Sequence, residues 1–95
     1  MLIQQKEIGH KGKFFIQPNG QELAEMIYAL PTPGTMIIEH TEVDDALRGQ
    51  NVGYMLVSKA AEYAREKHLK IIPQCPFAKA IMARKHEEFK DVLKA

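Results

Sequence analysis

The chain has 95 residues, of which 45% are hydrophobic and 26% are charged, a composition typical of one soluble globular domain. Thirteen basic residues oppose twelve acidic ones and are spread along the chain, which argues against nucleic-acid binding, because that needs clustered Lys and Arg. The single cysteine, Cys75, excludes an internal disulfide. The N-terminus lacks a signal-peptide layout, and no apolar run approaches the roughly 20 residues of a membrane span. We expect one domain over residues 1–95, acting in the reducing cytoplasm without a membrane.

The first part of the chain predicts two strands. Residues 13–17 form a short apolar run that ends at the turn signature Pro18-Asn19-Gly20. Residues 22–30 are ambiguous, because their composition favours a helix whereas their apolar residues alternate and turns close both ends. We interpret residues 22–30 as a strand, since the turn that follows, residues 31–34, then makes a hairpin.

The hairpin leads into a third strand, residues 35–43, which is rich in β-branched side chains. Alternation predicts that Met36, Ile38 and His40 share one face of this strand. His40 on such a face reads either as a buried, hydrogen-bonded histidine or as a general base, since imidazole titrates near neutral pH. The residues alone favour the structural interpretation.

The second half predicts a helix that opens within residues 48–53 and runs to about residue 67, a strand over residues 70–75, and one or two short helices from residue 77 to about residue 93. Strands followed by helix, strand and helix indicate an α/β domain with a central crossover connection.

The start of the first helix suits a pyrophosphate. A helix N-terminus presents unpaired N–H groups and partial positive charge. Gly49 and Gly53 remove side chains that would block an approaching phosphate, and Arg48 adds a charged donor. Glycine at a helix start is often purely structural, however, and no Gly-Lys-Ser/Thr sequence of a nucleotide P-loop follows.

The segment around Pro73 and Cys75 is the second candidate. Proline cannot donate to a sheet ladder, so Pro73 belongs at an edge, at a bulge or where two strands part. Pro76 favours the first position of a helix, which places Cys75 at its N-cap. A thiol there is either a reactive nucleophile with a lowered pKa or an inert core residue. No pair of histidines has metal-ligand spacing, so we predict no metal.

Three runs taken together carry a resemblance: His40-Thr41-Glu42-Val43, Arg48-Gly49-Gln50-Asn51-Val52-Gly53 and Pro73-Gln74-Cys75-Pro76-Phe77. In this order and spacing the chain resembles the small GNAT-like N-acetyltransferase domain family, from about Lys13 to the C-terminus. The resemblance implies a mixed sheet with antiparallel N-terminal strands, a crossover helix and a splayed parallel strand pair that binds acetyl-coenzyme A.

The resemblance also implies roles for individual residues. Backbone groups of Thr41 and Val43 would pair with pantetheine, and His40 with Cys75 would form the catalytic pair. The turn that would hold the pyrophosphate comprises Arg48, Gly49, Gln50, Asn51, Val52 and Gly53, with Tyr54 beside it.

Two departures from the superfamily pattern stand out. Asn51 occupies the position of the first glycine of the turn, and Ile81 lies in the region where larger members often carry a proton-donating tyrosine. The implied activity is transfer of acetyl from acetyl-coenzyme A to an amine, with a small amine, a polyamine or a protein as acceptor. The alternative is a non-catalytic acyl-coenzyme A-binding or interaction module.

Overall fold

A computed structural model describes every residue of the chain, 1–95. Its elements follow the predicted order of strands, helix, strand and helices, which confirms the α/β class and the crossover. The elements are β1 (Gln4–Ile8), β2 (Lys11–Ile16), β3 (Ala24–Ala29), β4 (Thr35–Val43), α1 (Val52–Lys67), β5 (Lys70–Pro73), α2 (Pro76–Arg84) and α3 (His86–Phe89). None of the helices combines the length and the hydropathy that crossing a membrane requires.

The five strands form one sheet in chain order, β1-β2-β3-β4-β5. All neighbours pair antiparallel except β4 and β5, which are parallel and are connected by α1. The ambiguous residues 22–30 therefore contain a strand. Alternate side chains of β3 are buried on one face of the sheet, and this burial outweighs the helix propensity of the residues. The predicted mixed sheet is confirmed.

The helices cover one face of the sheet. Alternate strand residues such as Phe14, Met26 and Ile38 are fully buried there against the apolar stripe of α1. The opposite, uncovered face carries half-buried apolar side chains such as Phe15 and Ile27. A site that needs solvent access can therefore open through the uncovered face.

Strand β1 was not predicted, because all five of its residues are exposed and show no apolar alternation. Its contacts are long-range. The strand pairs along β2, and the Glu7 carboxylate accepts hydrogen bonds from the hydroxyls of Tyr28 at 2.7 Å and Tyr63 at 2.6 Å. Those partners lie on β3 and α1, so no local sequence pattern predicts the strand.

A β-bulge interrupts β4 next to the predicted site. Tyr28 of β3 faces Ile38 of β4, whereas Ile27 faces His40, so Glu39 is an extra residue without a partner. Beyond the bulge the side chains change faces: Thr41 continues the buried face, and His40 lies on the uncovered face. The prediction that His40 shares a face with Met36 and Ile38 is wrong, because strict alternation fails at one inserted residue.

Candidate active site

The parallel strands β4 and β5 part halfway along β4. Their pairing runs from Thr35 opposite Lys70 to Ile38 opposite Pro73. The next two N–H groups, of Gln74 and Cys75, both donate to the Ile38 carbonyl at 3.0 Å, after which α2 begins. Residues 39–43 of β4 thus border a gap on the side that β5 has left. Pro73 stands where the strands part, one of the three places predicted for it.

The edge of β4 that borders this gap presents backbone groups that pair with no neighbouring strand. The Asp44 N–H donates to the Leu23 carbonyl at 2.8 Å, on the β3 side. Because successive strand residues direct their backbone groups to alternate sides, Val43 and Thr41 direct theirs into the gap. These are the two residues expected to pair with pantetheine, and that role remains a prediction.

The turn before α1 leaves a second set of groups unpaired. Gly49 and Asn51 adopt left-handed backbone angles, with φ of 80° and 61°, which Asn tolerates better than most residues. The side chain of Asn51 makes no capping bond, and the first helical hydrogen bond runs from the Met55 N–H to the Asn51 carbonyl at 3.1 Å. The preceding N–H groups have no helical acceptor; they belong to Val52, Gly53 and Tyr54.

One cavity of about 500 Å³ connects the gap with this turn. Every predicted cofactor-binding residue except Gln50 lines the cavity; the Gln50 side chain instead donates to the Ala46 carbonyl at 3.4 Å. The lining residues are Thr41, Glu42, Val43, Leu47, Arg48, Gly49, Asn51, Val52, Gly53, Tyr54, Phe77, Ile81 and Arg84. Glu42, Leu47 and the last three were not predicted as site residues, and the last three belong to α2. Their spacing on α2, four and then three residues apart, is the signal that could have revealed a shared helix face.

Gly53 has a packing reason beyond room for a phosphate. It is buried, and a Cβ atom there would lie 2.4 Å from Cε1 and Cζ of Phe77 and 3.1 Å from Cδ1 of Ile81. The missing side chain therefore lets α2 approach α1 closely. Both helices consequently contribute to the wall of the cavity.

The polar side chains on the cavity wall also contact residues outside it. Arg48 Nε lies 2.6 Å from Asp45 Oδ1, with both side chains more than three-quarters exposed. The Tyr54 hydroxyl donates to the Glu88 carboxylate, which raises the pKa of Tyr54. Lys85 lies over the Tyr54 ring, 5.3 Å from its centroid. Tyr54 therefore contributes its ring to the wall, while its hydroxyl points to α3.

Cys75 lies where β4 and β5 part, and it does not line the cavity. It is the N-cap of α2, as Pro76 predicted, and it is buried with Sγ 3.5 Å from Thr41 Oγ1. Burial raises the pKa of the thiol, but hydrogen bonds from the Thr41 hydroxyl and from the backbone N–H groups of Ala78, Phe77 and Thr41 outweigh it, so the pKa is lowered. This environment therefore favours the thiolate form more than the surroundings of an ordinary buried cysteine do.

His40 lies on the other side of the sheet from Cys75, and its side chain does not line the cavity, although that of Glu42 does. The His40 side chain is 56% exposed on the uncovered face, with Nε2 3.2 Å from Glu42 Oε2. The structure therefore does not bring His40 and Cys75 into contact. It groups His40 with Glu42 and Glu25, whose ligand-type atoms all lie within 4.8 Å of one another. Sequence spacing could not show this group, because Glu25 belongs to β3.

A mixed sheet whose parallel strands part beside a helix N-terminus is the architecture that the resemblance to the GNAT family implied. Residues 13–92 match the GCN5-related N-acetyl-transferase family. The chain therefore belongs to this family of N-acetyltransferases. No curated protein matches the chain.

Solved structures agree with this assignment. A GCN5-like protein from Staphylococcus aureus, determined by NMR, is 38% identical with a TM-score of 0.74, over 97% of this chain and 88% of that one. A ribosomal-protein-alanine N-acetyltransferase from Brucella melitensis is 17% identical, with a TM-score of 0.62 over 90% of this chain and 63% of that one. A GNAT family acetyltransferase from Elizabethkingia anophelis with acetyl-CoA bound is 14% identical, with a TM-score of 0.64 over 81% and 53%. The last two share the fold and are longer proteins.

Proposed function

We propose that residues 1–95 form a single catalytic domain that binds acetyl-coenzyme A in the 500 Å³ cavity and transfers the acetyl group to an amine. The observation that carries the proposal is the cavity itself, which joins the unpaired edge of β4 to the unpaired N-terminus of α1. The lone thiol of Cys75 supports action in a reducing compartment such as the cytoplasm.

The two ends of the cavity suit two successive parts of coenzyme A, the pantetheine at the edge of β4 and the pyrophosphate at the start of α1. Pantetheine carries amides, and the backbone groups of Thr41 and Val43 that face the gap offer donors and acceptors for them. The pyrophosphate needs clustered N–H donors and positive charge, which the first turn of α1 and Arg48 supply. Gly49 has open space where a side chain would project, so the ligand can approach this backbone.

When bound, acetyl-coenzyme A supplies an acetyl group activated as a thioester. The amine that receives it has to lose a proton, and we assign this step to His40, whose exposed imidazole would act as the general base. The helix-covered face is filled by α1 and α2, so the acceptor approaches across the uncovered face, where His40 is exposed. The hydrogen bond to Glu42 orients the imidazole.

We assign the second catalytic role to the thiol of Cys75, on the helix-covered side of the sheet. Its lowered pKa and its hydrogen bond with Thr41 fit two roles, a covalent acetyl carrier or a donor that protonates the departing thiolate. Ile81 leaves no tyrosine on α2 to protonate that group, and Tyr54 directs its hydroxyl to Glu88. Mass spectrometry after incubation with acetyl-coenzyme A alone separates the two roles: an added acetyl group on Cys75 indicates the covalent route, and its absence indicates direct transfer.

The proposal is tested by titrating acetyl-coenzyme A and following backbone NMR shifts. We expect the largest shifts in the turn before α1, at Asn51, Gly53 and Tyr54. Largest shifts around Phe14 and Tyr28, with that turn unmoved, would contradict the assigned site. Turnover with a panel of small amines, polyamines and peptides then tests catalysis. Binding without turnover on any amine would favour the acyl-coenzyme A-binding module instead.

A further inference from the structure

We infer that Arg84 is a second phosphate-binding cation of the cavity, an inference that rests on the proposed function. Arg84 is the last residue of α2 and lines the same cavity as the N-terminus of α1. The turn that precedes α1 contains the phosphate motif visible in the sequence, whereas Arg84 follows that turn by more than thirty residues. Only the packing of α2 on α1 brings it to the ligand.

The helix geometry explains how Arg84 reaches the cavity. Phe77, Ile81 and Arg84 are spaced four and three residues apart, so they share one face of α2. The first two lie against Gly53, at the start of α1. Arg84 lies about one turn further along the same face, where it presents a charged guanidinium instead of an apolar side chain. The two helices therefore hold its charge beside the unpaired N–H groups of α1.

The charge of Arg84 is free for a ligand. Two arginines, Arg48 and Arg84, line the cavity together with one carboxylate, Glu42. Arg48 already has Asp45 as a partner at 2.6 Å. Arg84 makes neither a side-chain hydrogen bond nor an ion pair within the chain, in contrast to Arg65, which pairs with Asp91 at 2.7 Å. An exposed guanidinium without a partner, on the wall of a cavity with clustered N–H donors, suits a second phosphate oxyanion.

Coenzyme A offers two sources of this chemistry, its pyrophosphate and its 3′-phosphate. A planar guanidinium can bind either of them in a bidentate manner. Arg84 lies on the wall contributed by α2 and lines the same cavity as the donors of α1, so it can contact a phosphate oxygen that those N–H groups leave exposed. Its loss should then weaken binding with little change in the stability of the fold, because Arg84 is exposed and makes no side-chain hydrogen bond or ion pair within the chain.

The test is isothermal titration calorimetry of coenzyme A and 3′-dephospho-coenzyme A against wild type, Arg84→Gln and Arg84→Lys. Lys79→Gln is the matched control, since Lys79 is an exposed cation of the same helix that does not line the cavity. We expect Arg84→Gln to weaken coenzyme A binding about tenfold. We expect Arg84→Lys to lose less and Lys79→Gln to stay within about twofold of wild type, since its charge has no direct ligand contact.

The two ligands identify the phosphate. If Arg84 binds the 3′-phosphate, the tenfold loss disappears with 3′-dephospho-coenzyme A; if it binds the pyrophosphate, the loss is the same for both ligands. Either result supports the inference. Equal affinities of Arg84→Gln and Lys79→Gln, with wild type binding normally, would overturn it and leave the proposed function intact. Failure of wild type to bind coenzyme A would overturn both.

Discussion

The packing of Phe77 against Gly53 predicts that Gly53→Ala destabilises the fold, whereas helix propensity alone predicts that it stabilises it. Alanine at a helical position is normally more stable than glycine, by up to about 1 kcal/mol. A Cβ atom at position 53 would, however, lie 2.4 Å from the Phe77 ring. Overpacking of this kind costs roughly 1–3 kcal/mol. Because Phe77 is 45% exposed and its ring can move partly outward, we take about 2 kcal/mol, the middle of that range.

The expected net result for Gly53→Ala is a destabilisation of about 1 kcal/mol, since the clash outweighs the gain in helix propensity. In a domain of this size such a loss lowers the melting temperature by about 4–8 °C. In a Phe77→Ala background the clash with the ring is absent and only the 3.1 Å contact with Cδ1 of Ile81 remains, so the same Gly53→Ala change should become nearly neutral or stabilising. The coupling free energy between the two positions is then about 1–2 kcal/mol.

The assay is a double-mutant cycle measured by urea unfolding, with coenzyme A titrations on the four proteins. Urea m-values identical across the four proteins would show that the substitutions act on native packing rather than on the denatured state. A stabilising effect of Gly53→Ala of the same size in both backgrounds would refute the reasoning, because it would mean that Phe77 does not lie over Gly53. Loss of ligand affinity in Gly53→Ala that Phe77→Ala restores would locate the effect in the cavity wall.

Three further predictions concern single groups. Thr41→Val should raise the pKa of Cys75, because it removes a hydrogen bond that stabilises the thiolate, and iodoacetamide alkylation at neutral pH should slow relative to wild type; an unchanged pH profile would contradict this. Partial burial and the hydrogen bond to Glu7 raise the pKa of Tyr63 to about 12. The unfolded chain therefore loses this proton first, near pH ~10, so the stabilisation is complete below that pH and is lost as the pH rises towards 12. Tyr63→Phe should flatten the decline in chemical stability over that interval, and an unaltered decline would exclude Tyr63 as its source. His40→Gln should lower turnover roughly 100-fold, the scale of general-base loss, with the melting temperature and coenzyme A affinity unchanged because the side chain is exposed; a comparable fall in stability would indicate a structural role instead.

The sequence by itself determined the parts of this protein whose cause is local. Turn residues and alternation predicted β3 and β4, Pro76 predicted Cys75 as an N-cap, and the turn before α1 was evident from its glycines. These features depend on backbone preferences within a few residues, so a single chain displays them. The family resemblance added the splayed strand pair, and the parallel pairing that ends opposite Pro73 agrees with it.

Tertiary structure alone decided where the functional side chains lie. One extra residue at Glu39 moves His40 to the uncovered face and places Thr41 beside Cys75, and alternation cannot reveal such a shift before the partner strand is known. Arg84 reaches the cavity only because Gly53 lets α2 pack closely on α1. Both outcomes depend on contacts between segments distant in sequence, and local preferences carry no information about those contacts.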